Sequence, residues 1–306
     1  MLVCLFVITV LASAKGGSGK TTLSTALAAE AARRGVKTLL VDADTQANAS
    51  EWLAGGGGML ASVGDGGRGV YRLFIDGEEP APLTVKPCLD LLPAGPRTQS
   101  LANELDRMLT MSIEQKRQGL TLVRELLHEA TSAYEQVWID TPPSLQSPSL
   151  IESFLAAADF VVVPFRASPD HARAAFKVIE QLVALDELGV EHAKPLGVVI
   201  FDRDAAASRL EASVRHELDK VSQFVPLFGE SIIHRAAPAA AALRMHMTPH
   251  ELLEAAPSNS ERLARLHEGR AAELPSIQRG TVEKYAANFA AVYDEFLVRV
   301  GKLAHV

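Results

Sequence analysis

The 306-residue chain has only two cysteines, Cys4 and Cys88, far apart in sequence. Neither belongs to a CxxC pair or a Cys/His cluster. This excludes a zinc or iron–sulfur site built within one chain, and a disulfide framework, and it fits a reducing cytosol. Aromatic residues are scarce at 6%, so the core has to be built mainly from Ala, Leu and Val. There is no excess of positive charge: 30 Lys and Arg stand against 37 Asp and Glu, a net charge of -7. Any nucleic-acid contact must then come from a local basic face. No apolar run reaches the ~18 residues that a membrane span needs. The leading run, MLVCLFVITVL, is too short, and it lacks the Lys or Arg that precedes the apolar segment of a signal peptide. Ala12-Ser13-Ala14 has the look of a signal-peptidase site, but a cut there would remove the segment leading into the glycine-rich stretch that follows.

What is present is ordinary for a globular protein: 48% hydrophobic and 22% charged residues, in a chain long enough to bury a sizeable core. Short apolar runs alternate with helical periodicity. Strands are predicted at 2–12, 36–44, 89–95, 134–143, 158–165 and 194–201. Each is nearly continuous in apolar residues, the pattern of strands covered on both faces in a parallel sheet. A helix over 20–34 places Leu23, Leu27 and Ala31 on one stripe, with Gly35 as its C-terminal cap. Further helices are predicted at 98–110, 114–131, 148–157, 169–188, 207–220 and in a group after 236. The fold class is α/β: a doubly wound, mostly parallel sheet with helices on both faces. It forms one domain over 1–306. A glycine-rich loop covers 55–69, and a polar surface excursion covers 247–280, with a short helix at 259–272. Such sheets bind ligands at the carboxyl ends of their strands, so chemistry-bearing residues belong there.

The first strand runs into KGGSGKTT. A phosphate loop needs glycines for inward-pointing N–H groups, a helix N-terminus behind them, a lysine for the β- and γ-phosphates and a hydroxyl for Mg²⁺. Gly16, Gly17, Ser18 and Gly19 supply the backbone, Lys20 the charge, Thr21 the metal-facing hydroxyl and Thr22 a hydroxyl near the α-phosphate. The ordinary GxxxxGK[ST] pattern has glycine where this chain has Ala14, and Lys15 follows it. Three aspartates close apolar strands: Asp42 and Asp44 in LLVDADTQANAS, and Asp140 in VWIDTPPS. A carboxylate in such a place is costly unless it is paired or faces a metal. Asp140 suits the Mg²⁺-holding role, through the ion's water shell. Asp44 suits the positioning of an attacking water, and Asp42 the support of Lys20 or of the metal shell.

KGGSGKTT resembles the deviant Walker A motif of the ParA/MinD family of ATPases. VDADTQANAS is similar to that family's VDxDxQxNAS segment, and IDTPPS to its Walker B and switch segment. LDLLPAG, AADFVVVPFRAS and SIIHRAAPAAAALRMHMTPHELLEAAP resemble ParA segments in the expected order. The chain departs from the pattern at Thr45, where proline is usual, and around 256–280, which is longer. The resemblance implies an Mg²⁺-dependent ATPase that forms a homodimer around ATP, with Lys15 crossing to the partner's nucleotide. It implies the short form, without an N-terminal helix-turn-helix domain.

The family's tasks differ, and each leaves a mark. A cluster-carrying reductase needs paired cysteines in a setting that Cys4 and Cys88 lack. A membrane regulator needs a basic amphipathic terminal helix. The last helix carries a stripe of Tyr285, Phe289, Val292, Phe296, Val300 and Leu303, but its polar residues mix Glu283, Asp294 and Glu295 with Lys284, Arg299 and Lys302, as in a helix packed on the sheet; no stable membrane association is expected. A DNA-segregation ATPase needs basic residues for sequence-independent phosphate contacts. The candidates are Arg209, Arg215, Arg235, Arg279 and Lys284, with Arg203, Lys220 and Arg244 nearby in sequence. The resemblance implies nonspecific DNA, a ParB-type centromere-binding protein as partner, and a cytoplasmic, nucleoid-associated location. It also places an adenine-side loop at FDRDAAA, with Phe201 or Asp202 near the base. His171, His246 and Cys88 have no partners identifiable in sequence and read as structural.

Overall fold

The computed structural model describes residues 6–55, 64–76, 81–110, 112–143, 148–166, 169–201, 219, 221–223, 225–229, 237–268 and 278–303. Seven strands and eleven helices lie among them. The strands are β1 (Val7–Leu11), β2 (Thr38–Asp42), β3 (Leu83–Lys86), β4 (Leu89–Leu92), β5 (Gln136–Asp140), β6 (Phe160–Arg166) and β7 (Lys194–Phe201). The helices are α1 (Lys20–Arg33), α2 (Asn48–Leu53), α3 (Arg68–Ile75), α4 (Pro96–Leu109), α5 (Ile113–Thr131), α6 (Pro148–Ala157), α7 (Pro169–Glu187), α8 (Ala237–Met245), α9 (Pro249–Ala255), α10 (Asn259–His267) and α11 (Arg279–Leu303).

The strands form one sheet in the order β3-β4-β2-β5-β1-β6-β7. Every neighbouring pair is parallel except the edge pair β3–β4. Alternation along each strand sends side chains to opposite faces. Ile8 and Val10 of β1 join a core made with α3, α4, α5, α6 and α7. Val7 and Leu11 join a second core made with α1, α2, α8, α9 and α11. The sheet is therefore doubly wound, with helices on both faces, and five adjacent strands (β2, β5, β1, β6, β7) end their carboxyl termini along one edge.

Three elements are not announced by the sequence pattern: the short helix α2, the edge strand β3 and the helix α3. The edge strand β3 is short, flanked by Pro82 and Pro87, and reverses into β4 through Cys88, which is exposed with φ 60°. The glycine-rich stretch gives way to α3 because the Asp65 carboxylate accepts the N–H groups of Gly67 (2.8 Å) and Arg68 (3.2 Å) and so caps the helix start. Val70, Leu73 and Phe74 then supply a buried face. In the 247–280 region, α9 is capped by Thr248, buries Leu252 and packs on α11, while α10 leaves Leu263 exposed. The helix expected at 207–220 lies almost wholly outside the described residues.

The final helix packs as its stripe predicts. Tyr285, Phe289, Val292, Phe296 and Val300 are buried. Phe296 lies 4.7 Å, centroid to centroid, from Trp138 in the middle of β5. Tyr293 donates its hydroxyl to Gln136 (3.2 Å), and Arg34 joins Glu30 of α1 to Asp294. No helix among the described residues is long and apolar enough to cross a membrane. Truncating Phe296 to alanine should open a cavity beside Trp138 and destabilise the fold by about 3–5 kcal/mol. Urea denaturation followed by tryptophan fluorescence measures this, and a loss below ~1 kcal/mol would contradict the packing described.

Candidate functional site

β1 passes through Ala12, Ser13 and Ala14, all buried, and opens into the loop 15–19. Thr141, just past β5, donates its hydroxyl to the Leu11 carbonyl (2.6 Å) and fastens the two strand ends together. Gly17 and Gly19 have φ of 70° and 99°, a left-handed conformation that glycine adopts without strain. The side chains at three neighbouring strand ends box the loop. A β-carbon on Gly16 would meet Pro143 at 3.7 Å, one on Gly17 would meet the Arg166 guanidinium at 3.8 Å, and one on Gly19 would meet the Phe201 ring at 3.0 Å. Gly19 is thus fixed twice, by conformation and by contact. Phe201 packs under the loop, and Asp202 lies outside the described residues.

Helix α1 starts directly from Gly19, whose carbonyl accepts the Leu23 N–H (2.9 Å). Its first turn holds no acidic residue, so the free N–H groups and the positive end of the helix dipole face the loop and favour an anion. Lys20 is buried, and its ammonium reaches back toward the Lys15 carbonyl at 3.5 Å. Burial pulls the Lys20 pKa down, while Asp140 and Asp44 oppose that shift. Thr21 and Thr22 are half-buried in the first turn, and Ser18 is buried.

The carboxylates come from the adjacent strands β2 and β5, where Asp42 and Asp140 face each other in register. Both are fully buried, and they behave differently. Asp42 accepts the Ser50 N–H (2.8 Å), the Ser50 hydroxyl (2.6 Å) and the Asp44 N–H (3.1 Å). Ser50 also accepts the Ala94 N–H (2.9 Å). Asp42 therefore anchors the loop after β2 to α2 and to the end of β4. The sequence suggests support of Lys20 or of the metal shell; among the described residues the hydrogen bonds of the Asp42 carboxylate go to Asp44 and Ser50. Asp44, held by the Gln46 N–H (3.0 Å), is with Asp140 one of the two carboxylates whose charge acts on Lys20.

Asp140 has no hydrogen-bond partner for either oxygen among the described residues. The Thr21 hydroxyl lies beside it without reaching a bond of normal geometry. Burial, and then the charge of Asp42, push its pKa up to about 8, against the pull of Thr21 and Lys20. Burial likewise raises Asp42, against its three hydrogen bonds. An orphaned carboxylate facing a threonine hydroxyl is an oxygen donor set that fits Mg²⁺, an ion that takes one or two protein oxygens and leaves its remaining positions to water and phosphate. Among the described residues no cluster of three His, Cys, Asp or Glu could hold a metal by itself.

Two side chains that the sequence leaves without a role, Asp170 and His171, stand here beside Lys15. Lys15 is exposed at the mouth of the loop, with its ammonium 2.8 Å from Asp170 at the start of α7. His171, the next residue, is 7% exposed. Its pKa is lowered to about 4 by burial and by the charges of Lys15 and Arg166. Its place was legible in one respect: it follows the carboxyl end of β6, where the fold puts its ligands. Among the basic candidates for DNA, Arg209, Arg215 and Arg235, with Arg203 and Lys220, lie outside the described residues. Arg279 is half-buried and donates to the Ala256 carbonyl (2.5 Å), tying α11 to the end of α9. Lys284 and Arg244 are exposed.

Comparison with known proteins gives consistent results. The family described as AAA domain matches residues 6–187. The chain is 36% identical over 255 residues to the chromosome-partitioning ATPase Soj of Thermus thermophilus, covering 76% of this chain and 91% of that protein. It is 27% identical over 201 residues to the maintenance of carboxysome distribution protein A of Synechococcus elongatus, covering 66% of this chain and 74% of the other. Among solved structures, an ATP complex of McdA from Cyanothece superposes with a TM-score of 0.66 at 22% identity, over 89% of this chain and 98% of that one. The ParA of pNOB8 does so with a TM-score of 0.66 at 16% identity, over 97% and 99%. These two likenesses establish the fold.

The orphaned Asp140 carboxylate generates a test. With its folded pKa raised, the folded protein keeps a proton that the unfolded chain releases above about pH 4. Its contribution to stability is complete below that pH and is lost as pH rises toward about 8. Denaturation of the nucleotide- and Mg²⁺-free protein from pH 5 to 8 should show wild type losing more than about 1 kcal/mol relative to Asp140→Asn. Added Mg²⁺ with nucleotide should restore wild type but not the variant. A difference that stays flat with pH would refute the assignment.

Proposed function

Because the chain belongs to the ParA-type ATPases of the ParA/MinD family, we propose that it is an ATP-dependent DNA-segregation ATPase, acting on a plasmid or chromosome. Two copies would close around ATP, the pair would bind DNA without regard to sequence, and hydrolysis stimulated by a ParB-type centromere-binding partner would release it. It would work in the cytoplasm, on the nucleoid. The observation that carries this reading is Lys15. A nucleotide site served within one protomer already has Lys20, whereas Lys15 sits at the exposed mouth of the loop, where a second copy can be reached.

The chemistry is transfer of the terminal phosphoryl group from ATP to water, giving ADP and phosphate. In such reactions catalysis is mainly positioning and charge stabilisation. The N–H groups of Gly16, Gly17, Ser18 and Gly19 cradle the phosphates, Lys20 offsets their charge, and Thr22 lies on the α-phosphate side. Lys15 adds a cation from the partner. Asp44 orients the water. Thr21 and, through water, Asp140 would hold Mg²⁺, which would offset the negative charge of the phosphates. The DNA contacts are assigned to basic residues of the late part of the chain: Lys284, which is exposed, Arg279, which is half-buried, and Arg209, Arg215 and Arg235, which come from sequence alone.

A second reading is supported by the similarity to the carboxysome distribution protein: the same ATP-driven switch used to position a protein cargo. DNA binding measured with ATP, with ADP and without nucleotide separates the readings. Wild type should bind with ATP only, and progressively less well as salt rises. Lys15→Ala should lose about tenfold or more of that affinity, and Asp44→Ala should bind with ATP and stay bound for longer. Dimers that form with ATP but have no affinity for DNA at low salt would defeat the segregation reading.

A further inference from the structure

Lys15, the side chain on which the proposed pairing depends, is already engaged within the single protomer. Its ammonium lies 2.8 Å from Oδ2 of Asp170. The two residues are 155 positions apart in sequence, so the contact is made by the fold, which sets the first turn of α7 beside the phosphate loop. The other oxygen of Asp170 takes a short hydrogen bond from Arg173, one turn further along α7. Asp170 is thus shared between two cations. The Lys15 and Asp170 side chains are 42% and 54% exposed. An ion pair this open to water is weak and exchanges readily, and a nucleotide triphosphate carries more negative charge than one carboxylate.

We propose that Asp170 is a positioning residue for Lys15: it holds the lysine on α7 in the single protomer, and ATP-driven pairing proceeds by exchanging the Asp170 carboxylate for a phosphate of the nucleotide bound in a second copy of this chain. The inference rests on the ATP-bridged dimer proposed above. The exchange trades one ion pair for another and breaks no covalent bond. Asp170 competes with the partner's nucleotide, so it raises the protein concentration needed for pairing. Arg173 draws on the same carboxylate and loosens the hold.

Sedimentation equilibrium with Mg²⁺ and AMPPNP at low salt tests this on wild type, Asp170→Asn, Asp170→Glu and Arg173→Ala. If each exposed pair contributes ~2–5-fold, releasing both lysines in a dimer should tighten pairing about 4- to 25-fold in Asp170→Asn. Asp170→Glu, which keeps the charge, should pair like wild type. Arg173→Ala, which leaves the carboxylate to Lys15 alone, should pair more weakly. The gap between wild type and Asp170→Asn should narrow at ~1 M salt, where charges are screened within about 3 Å. Pairing of Asp170→Asn at the wild-type concentration or above it overturns the inference, as does Asp170→Glu behaving like Asp170→Asn. If wild type pairs and the variants do not differ from it, this inference alone fails. If wild type stays single with AMPPNP, the ATP-bridged dimer fails and this inference with it.

Discussion

A fully buried carboxylate without a hydrogen bond among the described residues is the most demanding feature of this protein. Asp140 ends the central strand β5, beside a second buried carboxylate, Asp42, in the same register. An isolated charge in such a place is strongly disfavoured, and the raised pKa of Asp140 expresses that cost. The surrounding structure is arranged to meet it. Lys20 is drawn into the same region and depressed by its own burial. Thr21 is brought alongside by the first turn of α1. Removal of either the lysine or the loop that delivers it leaves Asp140 with less compensation. A divalent cation bound at Asp140 would offset the charge of the two buried carboxylates.

The sheet order explains why these groups meet. β1 lies between β5 and β6, with β2 next to β5 and β7 next to β6. The loop after β1 is thus enclosed by the ends of its neighbours: Pro143 beyond β5, Arg166 on β6 and Phe201 on β7. The same arrangement sets α7, which follows β6, against the loop and brings Asp170 and His171 to Lys15. On the other side, Asp42 secures the loop that carries Asp44 by bonding Ser50, and Ser50 bonds Ala94. One rigid edge therefore holds two kinds of parts. The phosphate loop is boxed on three sides, while Lys15 and Asp170 stay open to water and free to exchange partners.

Much of this was legible before any coordinates. The continuous apolar runs of β1, β2, β5 and β6 announce central parallel strands, because strands covered on both faces read that way, and β7 reads likewise although it closes one end of the sheet. The loop was legible because glycine at 16, 17 and 19 and lysine at 20 answer a backbone requirement local to those residues. β3 was not legible: a four-residue edge strand between prolines has too little pattern to stand out. The start of α3 was hidden by the glycines around it, since the cap that fixes it is the side chain of Asp65. Asp42 and Asp140 look alike in sequence, each an aspartate closing an apolar strand. Only their neighbours separate an anchor with three hydrogen bonds from a carboxylate with none among the described residues.

The sequence by itself determined the sheet-and-helix plan, the phosphate loop and the residue types able to handle a nucleotide, because each of these follows from local periodicity or local backbone demand. Tertiary structure decided the rest. It chose which aspartate is orphaned, it made His171 part of the site, and it gave Lys15 a counter-ion 155 residues away. The physical reason is the same in each case. Charge and hydrogen bonding act over a few ångströms of space, whatever the distance along the chain, and only the packed sheet fixes those distances.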